Sequence, residues 1–176
     1  MKIITVDAGK YNTKAITKLE NGELSQLDFR TKLQKTNTSY FTNDTFHLKW
    51  KEQNYILGDG AKHIDLDTNK QKLQHKLAVY VSCAKLTQNN SGEQDIDELN
   101  LIVLSPMSIF SHKQKRDEFR DYIMDDKIVN FELFNQEKTI IVNNCEIFAE
   151  TGGIIFSNPQ HYKNRVIGII DIGGVN

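Results

Sequence analysis

Two turns of one design bracket the chain. Near its start the apolar run Ile3-Ile4-Thr5-Val6 delivers Asp7-Ala8-Gly9-Lys10-Tyr11-Asn12-Thr13-Lys14. Near its far end residues 166–170, again β-branched and apolar, deliver Asp171-Ile172-Gly173-Gly174. Glycine lets a backbone approach an anion closely and aim amide N–H groups at it. A carboxylate at a strand end can hold magnesium through its water shell. One acid-then-glycine turn is common in hairpins and proves nothing. Two of them, each fed by a buried strand, with Lys14 seven residues past Asp7, point to phosphate and metal work.

The intervening residues read as mixed α/β. Residues 2–7 and 13–19 predict a strand pair, and Asn21-Gly22 predicts the next hairpin turn. Residues 24–60 are polar, lack helical period and carry β-like pieces at 46–50 and 55–57, which predicts a small, mostly β insertion. Leu73, Leu77, Tyr80, Val81 and Ala84 share one helical face, as do Phe119, Tyr122 and Ile123 farther on. Ser111 with Gln114 fits a helix capping box. Residues 101–104 read as a strand buried on both faces, followed by strands at 128–134, 138–143, 145–149 and 166–170. Alternation of strands and helices around such runs indicates an α/β domain. The opening strands, 101–104 and 166–170 are expected side by side in one core.

Bulk properties exclude some classes. Lys and Arg number 22 against 23 Asp and Glu, a net charge of −1, so no basic surface speaks for direct nucleic-acid binding. No run approaches the roughly 20 apolar residues of a membrane helix, and the opening run is too short for a secretory signal. A cytoplasmic protein with no membrane contact is the expectation, with Cys83 and Cys145 as reduced packing residues. His47, His63, His75, His112 and His161 are scattered in polar surroundings and are expected at the surface. The run Lys113-Gln114-Lys115-Arg116 reads as a solvated helix face or, alternatively, a filament contact.

The two turns resemble the phosphate 1 and phosphate 2 hairpins shared by actin, sugar-kinase and heat-shock chaperone ATPases. Tyr55-Ile56-Leu57-Gly58-Asp59-Gly60-Ala61 is similar to a segment of ParM/StbA-type bacterial plasmid-segregation actins. Glu150, 21 residues before Asp171, stands where that group places a catalytic glutamate. The resemblance spans essentially the whole chain and implies a ribonuclease H-like α/β fold, a mixed sheet with flanking helices and a small β-rich insertion. It divides the chain into a main subdomain of residues 1–23 and 71–176, an insertion of 24–70, and an absent second domain. It implies ATP or GTP with Mg2+ as cofactor, self-association into filaments, and a DNA-binding adaptor as partner.

Residue by residue, the resemblance puts Asp7 and Asp171 at the metal, Glu150 and Asp171 in catalysis, and Gly9, Lys10, Asn12, Thr13, Lys14, Gly173 and Gly174 around the phosphates. Ala8 and Lys10 depart from the small or polar residues usual in phosphate 1. Glu150 also fits a helix-start glutamate favoured by the helix dipole, and Thr13 an ordinary strand threonine. Two other readings of the whole stand beside the ATPase: a non-enzymatic actin-like module that binds or caps filaments, and half of a sugar or acetate kinase. With one wall of the cleft, a 176-residue fragment is expected to hydrolyse nucleotide poorly or not at all.

Overall fold

A computed structural model describes residues 1–37, 45–62, 69–87 and 96–169. The chain opens as an antiparallel meander of β1 (Lys2–Ala8), β2 (Asn12–Lys18) and β3 (Leu24–Arg30). Gly22, at φ 88°, closes the second turn in a conformation that costs other residues more, and its N–H donates to the Leu19 carbonyl. Next come β4 (Leu33–Lys35), β5 (Thr45–Trp50), β6 (Gln53–Gly58) and helix α1 (Leu73–Thr87). The rest is β7 (Ile96–Ser105), α2 (Met107–Phe110), α3 (Lys113–Met124), β8 (Ile128–Leu133), β9 (Gln136–Ala149), α4 (Gly153–Ser157) and α5 (Pro159–Tyr162).

All the described strands join one sheet in the order β3-β2-β1-β7-β9-β8-β5-β6-β4. Its centre is parallel: β7 lies between β1 and β9 and runs with both. Period-two alternation on β1 sends Ile4, Val6 and Ala8 to a buried face and leaves Thr5 and Asp7 on the other. α1 covers the buried face. It is buried nearly all round, polar residues such as His75 and Ser82 included, with Leu77, Ala78, Val79 and Val81 fully buried. The sheet curls about it, so that Trp50 of β5 and Phe131 of β8 both meet the Tyr80 ring, at centroid distances of 5.3 and 6.2 Å. The Tyr80 hydroxyl donates to the Ile123 carbonyl of α3 at 2.7 Å, which satisfies its polar end inside the core.

Several expectations change. Residues 24–30, assigned to the insertion, are the third strand of the meander, paired with β2 along their whole length. As an edge strand they bury little and are polar, which is why they read as part of the polar insertion and not of the meander. The remaining insertion strands reach the main sheet through a short contact, Leu48 with Leu133 and Lys49 with Glu132. The strands expected at 138–143 and 145–149 are one strand, β9, with a bulge at Asn143 between the partners of Leu99 and Asn100. The capping box does not form: His112 is the N-cap of α3, the Ser111 hydroxyl donates back to the Met107 carbonyl, and the Gln114 amide donates to Glu118. The short helix α2 uses that serine to close its own last turn.

No strand forms at 166–169, and Val166 is fully exposed. β1, β7 and β9 each have both edges paired, so the sheet centre holds no vacancy for another apolar strand. His47 and His75, expected at the surface, are buried on β5 and α1. α1 is enclosed by the curled sheet and β5 is paired within it on both sides, long-range arrangements that the local polar neighbours of the two histidines do not reveal. His63 lies outside the described residues, as do Ile170, Asp171, Gly173 and Gly174.

Candidate active site

Because β1, β7 and β9 are parallel, their carboxyl ends share one edge of the sheet, the usual place for ligands in α/β folds. Asp7 and Ala8 end β1, Ser105 ends β7, and Ala149 ends β9. Glu150 follows directly, and its N–H donates to the Ser105 carbonyl at 2.8 Å. The same edge receives the N-terminal end of α1. At the opposite edge Lys2 of β1 donates to the Thr87 carbonyl that closes α1, at 2.9 Å. The helix therefore runs antiparallel to β1 and turns its positive end toward the Asp7 turn.

That turn is tightly built. A Cβ on Gly9 would lie 2.5 Å from the Asn12 carbonyl oxygen, so only glycine closes it without displacement. The Arg30 guanidinium stacks on the Tyr11 ring at 3.2 Å and also reaches Asp59 at 3.7 Å. The Asn12 amide donates to Asp28 at 2.9 Å. The Thr13 hydroxyl is fully buried and shares a 2.7 Å hydrogen bond with Thr31, while the Thr31 N–H donates to the Tyr11 carbonyl. β3 thus braces the turn from outside. Lys14 sits across from Asp7 on the neighbouring strand and is exposed. Beside them opens a hollow of about 660 Å3 lined by Thr5, Asp7, Lys14, Ile16, Asp28 and Leu104. Another hollow, about 280 Å3 over Lys49, Glu132 and Lys138, lies on the arm away from the strand ends.

Asp7 and Glu150, 143 residues apart, meet at one side chain. Lys70, just before α1, is 5% exposed. Its ammonium donates to the Ala8 carbonyl at 2.7 Å, forms an ion pair with Glu150 Oε1 at 2.9 Å, and stands 3.9 Å from Asp7 Oδ1. The Glu150 contact is close charge pairing without the alignment of a good hydrogen bond. Both carboxylates keep access to solvent, with side chains 37% and 25% exposed.

The structure therefore brings together Asp7, Gly9, Lys10, Asn12 and Lys14 through the β1–β2 turn, and adds Glu150 across the sheet. Thr13 lies in the same turn with its hydroxyl facing the core. Asp171, Gly173 and Gly174 fall outside the described residues, so their expected place beside Asp7 does too. Lys70 escaped the sequence reading because Asn69-Lys70-Gln71-Lys72 is an unremarkable polar run. Arg30 carries no signal of its own, because it falls in the polar segment assigned to the insertion.

Among the described residues no group of three or more His, Cys, Asp or Glu could enclose a metal. A half-buried carboxylate beside a close-approach glycine instead fits magnesium held through water and shared with a phosphate. No helix of the described residues is long and apolar enough to cross a membrane.

Comparison with known proteins places the fold. No curated protein matches the chain. Among solved structures, the Alp12 filament is similar at 24% identity and a TM-score of 0.65, over 88% of this chain and 48% of that one. AlfA from the B. subtilis plasmid pLS32, also a filament structure, is similar at 14% identity and a TM-score of 0.65, over 85% and 56%. The archaeal actin homolog Ta0583 is similar at 14% identity and a TM-score of 0.66, over 92% and 49%. At these identities the likeness establishes the fold, which is actin-like, and the chain spans about half the length of these structures. The family model describing the N-terminal domain of actin-like proteins matches residues 5–153, from within β1 to the start of α4. Its reach from one candidate carboxylate past the other makes the assignment: the chain belongs to the actin-like proteins, as their N-terminal domain.

Proposed function

We propose that the chain is the N-terminal half of a nucleotide-dependent, filament-forming actin-like ATPase that works in the cytoplasm in plasmid DNA segregation. The observation that carries this reading is the meeting of Asp7 and Glu150 on Lys70, at the carboxyl edge of the sheet and beside the Gly9 turn. A nucleotide reading is supported by relatives of this fold: one AlfA filament structure is bound to AMPPNP, and one Ta0583 structure is a complex with ADP. Self-association and a plasmid role draw on the Alp12 and AlfA filaments. A DNA-binding adaptor would link such a filament to its cargo.

In this reading the Gly9 turn and Lys14 bind the phosphates of ATP or GTP, and Gly173 and Gly174 bind them from the other side. Asp7 and Asp171 would hold hydrated Mg2+, which would supply charge neutralisation for phosphoryl transfer. Glu150 orients the attacking water, and Asp171 assists from the second turn. Phosphoryl transfer asks chiefly for positioning, and the braced β1–β2 turn supplies it. The insertion strands β4–β6 and the Lys113-to-Arg116 face are candidate filament contacts.

The test is phosphate release alongside a fluorescent-nucleotide titration on the intact gene product. Glu150→Ala should lower kcat by about 10²–10⁴ and leave the dissociation constant near wild type, because a water-orienting group acts in the transition state. Asp7→Ala should weaken Mg2+–nucleotide binding as well, since it acts already in the ground state. Competition with unlabelled ATP and GTP assigns the base. Wild-type turnover from Glu150→Ala would return that residue to a helix-start glutamate. Absence of any nucleotide binding would leave the filament-binding module.

A further inference from the structure

We infer that Lys70 is a resident cation of this site, a positioning residue that holds Glu150 against Asp7 and keeps the empty site stable without a divalent ion. The inference rests on the proposed nucleotide reading only for its catalytic consequence. Its structural part stands on Lys70 alone.

A lysine ammonium this deeply buried is costly unless its protons and charge are met. Here they are met by groups from two separate strand ends: the Ala8 carbonyl on β1 and the Glu150 carboxylate just beyond β9, with Asp7 Oδ1 at 3.9 Å. The contact engages Oε1 of Glu150, which fixes the carboxylate by one oxygen and leaves the other to act on a water. Ser105 holds the Glu150 backbone from β7, so side chain and main chain are tethered independently. Two carboxylates facing one small region repel each other unless a cation stands between them. Lys70 supplies that charge from inside the protein; the positive end of α1 also favours the two carboxylates and disfavours the ammonium, which makes those acids the more necessary as its partners. Arginine keeps the charge; methionine keeps most of the length and apolar stem and removes it.

The experiment compares wild type with Lys70→Met, Lys70→Arg, Glu150→Gln and the pair Lys70→Met/Glu150→Gln. Melting temperature is measured in EDTA and in millimolar MgCl2 or MnCl2, without nucleotide. Wild type and Lys70→Arg should melt alike in both conditions. Lys70→Met should melt roughly 5–15 °C lower in EDTA, the usual scale for breaking a buried pair in a chain this long. Divalent ion should restore part of that loss, because the vacated space lies between two carboxylates. The paired variant should melt above Lys70→Met and gain nothing from divalent ion. A lysine that merely packs would give a loss that neither divalent ion nor Glu150→Gln repairs, and that result overturns the inference. If Lys70→Met does not fold, the paired variant decides: recovery of folded protein supports the bridge, and failure overturns it. In phosphate release, Lys70→Met should lose roughly 10–100-fold in kcat with KM nearly unchanged, as outer-sphere partners do. Should no variant and no wild type bind nucleotide, the proposed function fails while the melting pattern still judges Lys70.

Discussion

Gly9→Ala is the sharpest single perturbation of the candidate site. The added Cβ would lie 2.5 Å from the Asn12 carbonyl oxygen. Carbon and oxygen settle at about 3.3 Å in the closest ordinary contacts, so the turn must open by roughly 0.8 Å. The turn cannot yield freely. Asn12 is paired with Arg30 across β2 and β3, its amide is tied to Asp28, and Tyr11 lies under the Arg30 guanidinium. Overpacking of this kind costs about 1–3 kcal/mol. Alanine recovers about 0.4–1 kcal/mol of that by stiffening the unfolded chain. The net loss, roughly 1–2 kcal/mol, lowers Tm by about 2–8 °C in a chain of this size. Gly153→Ala is the internal control. Nothing lies within 4 Å of its added Cβ, and the residue opens α4, where alanine is the better helix former. Thermal unfolding followed by circular dichroism should show Gly9→Ala melting below wild type and Gly153→Ala at or above it. Equal melting of Gly9→Ala and wild type would refute the claim that the turn itself demands glycine. A loss of nucleotide binding would then have to come from the phosphate contact alone.

Thr31→Val should leave the fully buried Thr13 hydroxyl without its partner and cost about 1–3 kcal/mol in a denaturant titration. The Asp125 carboxyl is held below its ordinary pKa by hydrogen bonding from Lys51 and then Lys76, so its stabilisation is present above the ordinary carboxylate pKa and lost as pH falls through the depressed one. Asp125→Asn should accordingly flatten the acid limb of the Tm-against-pH profile and lower Tm near neutrality. Burial pushes the Cys145 thiol up to about 12 and the Cys83 thiol higher still, so neither should react with a thiol reagent at pH 8 until denaturant exposes both. Fast labelling of the folded chain would contradict their packing against α1 and β9.

What the sequence makes legible is what short segments decide. The first turn is visible because a strand, an acid, a glycine and a lysine follow one another within a few residues, and the fold leaves that order intact. The helices at 73–87 and 113–124 are visible because their apolar period is local. β3 was hidden because an edge strand needs no apolar face, and its value to the site lies in Arg30, Thr31 and Asp28 acting on a turn some twenty residues earlier. β9 reads as broken at Asn144, next to the bulged Asn143, because a bulge and a strand end carry the same polar signature, and only its partner β7 tells them apart.

Lys70 shows where local reading stops and why. Its sequence neighbours say surface, and a lysine is rarely buried without a partner. Its partners are supplied by topology: β1 and β9 are separated by β7, run parallel to it, and so end together. α1 must cross from that edge to the opposite one to feed β7, which starts its N-terminal approach beside Ala8. Any chain that threads a helix between parallel strands in this way brings the residue preceding the helix to the strand ends. In this chain Lys70, three residues before α1, arrives there, and the two strand ends carry carboxylates. A functional lysine at such a position is therefore to be sought by its place before the crossover helix, since neither spacing nor composition marks it.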